Sequence, residues 1–194
     1  MTDSVYFFDS RLTQLDALLA ALPEGSLWYV IEPDRNGVEQ LRDILDGMQP
    51  VDAVHIVSHG ASGHLLLGST LLDTQTLLQQ ATDWAQIGSR LSADGDILIY
   101  GCDVALGTEG VEFIETLAWL TDADVAASDD LTGNVGLGGD WELELRVGQL
   151  DTSREAWDAN LLQVYSGLLL AESEPNNTQA TADAMTLGSA ISGQ

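Results

Sequence analysis

Two residues of this chain stand where a covalent catalyst would need them. His59, followed by Gly60, ends the apolar run Val54-His55-Ile56-Val57-Ser58, and Cys102, preceded by Gly101, ends the run Ile97-Leu98-Ile99-Tyr100. Apolar runs of this length and β-branched content read as buried strands. Parallel α/β sheets present their functional side chains at the C-terminal ends of strands. If these two strands are neighbours, an imidazole faces a thiol across a shallow cleft, the arrangement that a cysteine nucleophile requires. Gly60 lets the chain turn sharply after the histidine. Its amide and that of Cys102 are then expected to point into the cleft as an oxyanion hole. A helix beginning near Gly107-Thr108-Glu109 would favour the thiolate through its dipole, while Asp103 and Glu109 oppose it. A lone cysteine after a strand is ordinarily a small buried residue. The pairing with His59-Gly60 is what gives Cys102 a catalytic reading.

The elements that must position this pair follow from periodicity. Val5 to Phe8 reads as a strand, and Leu12, Leu15, Leu18, Leu19 and Leu22 recur at helical spacing up to Pro23-Glu24-Gly25. Leu27 to Ile31 is a second strand, and Val38, Leu41, Ile44 and Leu45 mark one face of a second helix. Residues 63–72 read as a glycine-punctuated hairpin, 74–91 and 109–121 as helices, and Asp124 to Ala127 as a fifth buried strand. Trp84 and Trp119 are expected to pack on the sheet from their helices. Trp141 to Val147 alternates apolar and polar residues, as a half-exposed hairpin strand does. The expectation is a three-layer α/β/α sandwich with a mainly parallel sheet and a C-terminal β-hairpin. One domain is expected over residues 3–165, followed at 166–194 by an acidic, turn-rich segment.

Composition narrows the function classes. The formal net charge is −25, with 31 acidic residues, six basic residues, all of them arginine, and no lysine. Such a surface repels nucleic acid and anionic membrane. No apolar run is long enough to span a bilayer. The N-terminus lacks the basic and apolar regions of a classical signal peptide. The chain is therefore expected either in the cytoplasm or, by a route that reads no such signal, outside the cell or on its surface. With one cysteine, neither an intrachain disulfide nor a Cys-based zinc site can form. His55 reads as structural and His64 as exposed. Together with Asp52, Asp73 and Asp103 the histidines have no ligand spacing, and no metal is expected there. Asp129 to Asn134 lacks the oxygen spacing of a calcium loop and reads as a turn. No cofactor is expected, and the carboxylate surface is expected to attract calcium only weakly.

The strand-end pairs resemble those of the caspase-like (clan CD) cysteine peptidases, in which one apolar strand ends in His-Gly and another in Ala-Cys or Gly-Cys. The stretch Val5 to Asp151 is more similar still to an uncharacterised bacterial domain found at the N-terminus of very large repeat-containing surface proteins. The residues behind this are His55-Ile56-Val57-Ser58-His59-Gly60, Leu67-Gly68-Ser69-Thr70, Leu98-Ile99-Tyr100-Gly101-Cys102-Asp103-Val104-Ala105, Asp124-Val125-Ala126-Ala127-Ser128 and Gly139-Asp140-Trp141-Glu142-Leu143. The segment Glu174-Pro175-Asn176-Asn177-Thr178 resembles the opening of a β-sandwich module that follows many secreted bacterial peptidases. The resemblance implies that His59 is the base or orienting imidazole and Cys102 the nucleophile. The substrate would be a polypeptide, with the chain's own parent included. Tyr100 stands where the clan often carries Gln, Asp or Glu, so no preference for the residue before the cut is carried over. Asp129 and Asp130 are candidates to line a pocket for a basic residue. The alternative reading is a catalytically inactive caspase-like cap or interaction module of a bacterial adhesin.

Overall fold

The computed structural model describes residues 4–151 and 157–170. Six strands form one sheet in the order β2-β1-β3-β7-β8-β9: β1 Ser4–Asp9, β2 Leu27–Ile31, β3 Val51–Val57, β7 Leu91–Tyr100, β8 Asp124–Ala127 and β9 Leu145–Val147. All pairings are parallel except the last, in which β9 runs antiparallel to β8. A second, antiparallel sheet of β4 Gly60–Ala61, β5 His64–Leu67 and β6 Thr70–Leu72 grows directly out of the His59 turn.

Helices α2 Gly37–Asp46, α3 Thr74–Gln79, α4 Ala81–Gly88 and α5 Gly107–Thr121 pack on one face of the main sheet. There Val38, Leu41, Leu45, Trp84, Ile87, Phe113 and Leu117 bury against Val5, Phe7, Val54, Ile56, Ile97 and Ile99. Helices α1 Leu15–Ala20 and α6 Ala159–Leu162, with irregular chain, cover the other face. The α/β sandwich read from the sequence is thus the observed architecture. Two caps show why helices start where they do. The Asn36 side chain accepts from the amides of Val38 and Glu39 at 2.9 and 3.3 Å, and Asp73 forms a capping box with Thr76.

Some boundaries differ. The helical pattern of 74–91 divides at Gln80, whose backbone leaves the helical region and whose side chain accepts from Asn36 Nδ2 at 2.9 Å. β7 starts six residues before its apolar run, because Leu91 pairs with Val51. A register shift between Val51 and Ala53 absorbs the excess. Of the expected strand Trp141–Val147 only the last three residues pair, because the chain from Asp140 turns locally, with Asp140 Oδ1 accepting the Glu142 amide at 2.9 Å. Trp119 is 74% exposed rather than packed on the sheet. The domain also continues past residue 165, since Leu169 is fully buried. The Glu174-Pro175-Asn176-Asn177-Thr178 segment and the rest of 171–194 lie outside the described residues.

Candidate active site

His59 and Cys102 follow the ends of neighbouring strands. β3 and β7 pair in parallel at the centre of the sheet with Val57 opposite Tyr100, and the pairing continues as Ser58 N donates to Tyr100 O at 3.0 Å. His59 and Cys102 each stand two residues past this last paired position. Two glycines allow the loops beyond the strands to close on each other. A Cβ added at Gly101 would stand 3.0 Å from Ser58 O, and one at Gly60 would stand 2.8 Å from Cys102 O and overlap Val104 Cγ2. Any larger residue at Gly60 therefore parts the two strand ends.

This closeness has a consequence for two amides. Gly60 N donates to the carbonyl oxygen of Leu169 at 2.9 Å, and Cys102 N donates to the same oxygen at 3.2 Å. Two backbone donors converging on one carbonyl oxygen are what an oxyanion hole for acyl transfer requires. The two amides named from the sequence, those of Gly60 and Cys102, thus converge on one oxygen, the Leu169 carbonyl of the same chain.

The Leu169 segment is held as an added strand. Leu169 N donates to Thr132 O at 2.9 Å, and Asn134 N donates to Gly167 O at 2.8 Å. Leu168 bridges Gly133 in antiparallel sense, and Leu170 bridges Gly60 in parallel sense. Asn134 Nδ2 also donates to Tyr165 O at 2.7 Å. Residues 168–170 therefore lie between Gly133 and Gly60, joined to each by an isolated β-bridge. The Leu169 side chain belongs to a buried apolar cluster with Tyr100, Cys102, Leu143, Leu162 and Tyr165.

The thiol itself is at rest. Cys102 is fully buried, and its Sγ donates to Thr132 O at 3.4 Å and accepts from Thr132 N at 3.3 Å. Burial pushes its pKa up to about 12, and the charge of Asp103 adds to the rise, while the Thr132 amide works the other way. The activated thiolate suggested by the strand-end pairing is therefore not the form held in this closed arrangement. His59 is half-buried, and its Nδ1 is a buried nitrogen with no hydrogen-bond partner. Its backbone is fixed by the small sheet, with Leu66 N donating to His59 O at 3.0 Å. Beside it the Ser58 hydroxyl donates to Leu66 O.

The remaining candidates fall elsewhere. Tyr100 is fully buried on the same sheet face as Leu169, close to a ring stack in which His55 lies on Tyr6 with centroids 4.0 Å apart. Burial lowers the His55 pKa to about 3, which keeps the ring neutral. Asp129 and Asp130 are exposed on the loop after β8, where Asp130 O accepts from the Asp103 amide at 2.6 Å. Asp130 gathers with Asp140 and Glu144, their oxygens within 4.8 Å of one another. Desolvation and these two neighbouring charges raise the Asp130 pKa. His64 is half-buried, its Nδ1 2.7 Å from Ser62 O. A cavity of about 680 Å³ shares Gly133 and Asn134 with the added strand, but neither His59 nor Cys102 lines it.

Sequence reasoning missed Thr132, Asn134 and the whole segment around Leu169. The available signal was the run Gly167-Leu168-Leu169-Leu170, apolar residues directly ahead of a polar stretch. It also missed Asp9, a buried carboxylate at the end of β1 that accepts from the Gly68 amide at 2.8 Å and from the Arg11 guanidinium at 2.7 Å. That pair ties the β5–β6 turn to the main sheet.

The fold and the site define an α/β domain with a histidine and a cysteine at adjacent strand ends, over a hole that takes a peptide carbonyl. The chain belongs to the family described as a domain of unknown function, DUF4347, whose model matches residues 5–169. No curated protein matches the chain.

Proposed function

We propose that this domain is a cysteine endopeptidase in which Cys102 is the nucleophile and His59 its base. The observation that carries this reading is the convergence of the Gly60 and Cys102 amides on one peptide carbonyl oxygen. The nitrogen of Cys102 is three bonds from its own sulfur, so a carbonyl held on that amide lies beside the thiol. Transfer of the thiol proton to the His59 ring would produce the attacking thiolate, and the two amides would stabilise the negative charge that develops on the carbonyl oxygen. A polypeptide is the substrate class that such backbone pairing fits. The net charge of −25 argues against nucleic acid. Among the described residues, no helix is long and apolar enough to cross a membrane. The resemblance to N-terminal domains of large bacterial surface proteins supports a role in such a protein, outside the cell or on its surface.

A second reading, an inactive cap or interaction module, is favoured by one observation: Cys102 Sγ is buried, protonated and engaged on both sides by Thr132. The two readings part in a labelling experiment. Leu169→Asp should expel the added strand by placing a charge in the apolar cluster. In that variant a panel of peptidyl chloromethyl ketones should alkylate Cys102 under native, reducing conditions. His59→Ala should slow the labelling about 10²–10⁴-fold, the usual contribution of a general base. Cys102 that stays unmodified in the folded variant, yet is labelled in urea, would leave the module reading standing.

A further inference from the structure

We infer that the domain cleaves its own chain between Leu169 and Leu170. This inference rests on the peptidase reading and adds the bond, the residue before it and the substrate, which is the chain itself.

Four observations place that bond. The carbonyl oxygen in the hole belongs to Leu169, so Leu169 is the residue whose acyl group Cys102 would take. The residues on either side are paired with backbone, Leu168 to Gly133 and Leu170 to Gly60, so both neighbours of Leu169 are held as a bound peptide's would be. The Leu169 amide is also satisfied, on Thr132 O, which fixes the turn of the peptide plane. Finally, the side chain of Leu169 is fully buried and belongs to the apolar cluster of that sheet face, which also includes Tyr100, Leu143, Leu162 and Tyr165 and suits an apolar residue. The family match covers residues 5–169, so Leu169 lies within the matched span. Held in cis, the segment is present at the high effective concentration of an intramolecular reactant.

The chemistry balances with water as the only co-reactant. Cys102 Sγ passes its proton to His59 and attacks the carbonyl carbon of Leu169. The C–N bond to Leu170 breaks as the imidazolium returns the proton to the departing nitrogen. Water then attacks the thioester, giving the Leu169 carboxylate and restoring the thiol. The products are 1–169 and a chain that begins with Leu170. Until the segment leaves, the same contacts exclude any other substrate. The apolar cluster also predicts selectivity: among peptides supplied in trans to the cleaved enzyme, leucine before the cut should be preferred to Asp or Arg by at least about tenfold.

Intact mass spectrometry of the full chain, followed over time under reducing conditions, tests this. The wild type should yield fragments 1–169 and 170–194. Cys102→Ala should yield none, and His59→Ala should yield them at least about 100-fold more slowly. Leu169→Met should still be cut at the same bond, and Leu169→Asp should not be. Circular dichroism would establish that each variant is folded, and the comparison of wild type with Cys102→Ala stands even if Leu169→Asp is not. A wild type that stays whole at 169–170, while its Cys102 reacts with peptidyl chloromethyl ketones in Leu169→Asp, would overturn this inference and leave the peptidase reading intact. A wild type that stays whole and a thiol that never reacts would overturn both. Cleavage that persists in Cys102→Ala would also overturn it, because the cut would then belong to another peptidase.

Discussion

The two faces of the main sheet are built on different principles. The face under α2 to α5 is mostly aliphatic, with Val5, Val54, Ile56, Ile97, Ile99 and Val125 meeting Val38, Leu41, Ile87 and Ile114. Regular helices cover it. The other face carries Tyr6, His55 and Tyr100 in a stack, with Trp157 edge-on to Tyr6 and Tyr100 at 5.4 Å. Only two short helices and irregular chain cover that face, and the irregular part includes the strand that fills the cleft. Each His55 ring nitrogen and the indole nitrogen of Trp157 are buried without a hydrogen-bond partner, and on the first face the indole nitrogen of Trp84 is in the same position. Well-packed aliphatic faces serve stability, whereas unpaired buried polar groups cost free energy. On the reading proposed above, the first face holds the fold and the second seats a peptide.

Removing the largest side chain of the first face is the most severe test of that division. Trp84 is 1% exposed. Trp84→Ala should cost about 3–5 kcal/mol, read from urea midpoints. A loss below about 1 kcal/mol would mean that the helical face is not the main source of stability.

Next in size is the contact between the strand ends. Gly60→Ala places a methyl group against Val104 and the Cys102 carbonyl. It should cost about 1–3 kcal/mol. By moving an oxyanion donor it should also slow cleavage at Leu169 by about 10²–10³-fold. Unchanged cleavage would detach the hole from the chemistry and erase the functional side of the comparison.

How much of this was legible in sequence depends on the face. The first face is written in periodicities: the spacing of Val38, Leu41 and Leu45 and the apolar strands next to them specify a helix-covered sheet. The pair His59 and Cys102 was legible for the same reason, because each ends a strand whose pattern is plain. The cover of the second face was not. Leu143, Leu162, Tyr165 and Leu169 come from short or irregular segments with no period to read, and they reach the sheet through contacts distant in sequence. The exchange between Asn134 and Gly167, and that between Leu169 and Thr132, are made by backbone groups that every residue carries. The state of the Cys102 thiol was hidden with them, because its pKa is set by burial beneath that cover.

The acid response of His55 sharpens the comparison in the other direction. Its pKa falls from an ordinary 6.5 to about 3 in the folded chain. Above pH 6.5 the ring is neutral in both folded and unfolded chains. As pH falls from 6.5 towards 3 only the unfolded chain takes the proton, so stability is lost over that window at roughly 1.4 kcal/mol per pH unit. His55→Phe keeps the stack on Tyr6 and removes the titration. Relative to pH 7, it should retain about 2 kcal/mol more than the wild type at pH 5. The alkaline counterpart is Cys102. Its pKa is raised from 9.0 to about 12, so its contribution is intact below pH 9 and is lost as pH rises from there. Cys102→Ala should flatten the decline above pH 9. Parallel acid profiles for His55→Phe and the wild type would mean that the second face admits water and that its polar groups are not held neutral by burial.

The smallest effect is expected at the tryptophan that sequence places in the core. Trp84 and Trp119 both lie on helices of the first face, and the apolar pattern around them does not tell them apart. The structure does. On α5 the buried residues are Gly110, Phe113, Ile114, Leu117, Ala118 and Thr121, and Trp119 stands on the next side of the helix, 74% exposed. Helical geometry turns each successive residue by about 100°, so the neighbour of a buried position can face solvent even when it is large and apolar. Trp119→Gln removes no core contact and should change stability by no more than about 0.5 kcal/mol, within the range of surface substitutions. Urea midpoints measured beside Trp84→Ala would give the contrast in one experiment. A cost above about 1.5 kcal/mol would mean that Trp119 is covered in solution, and the first face would then extend beyond the helices that define it here.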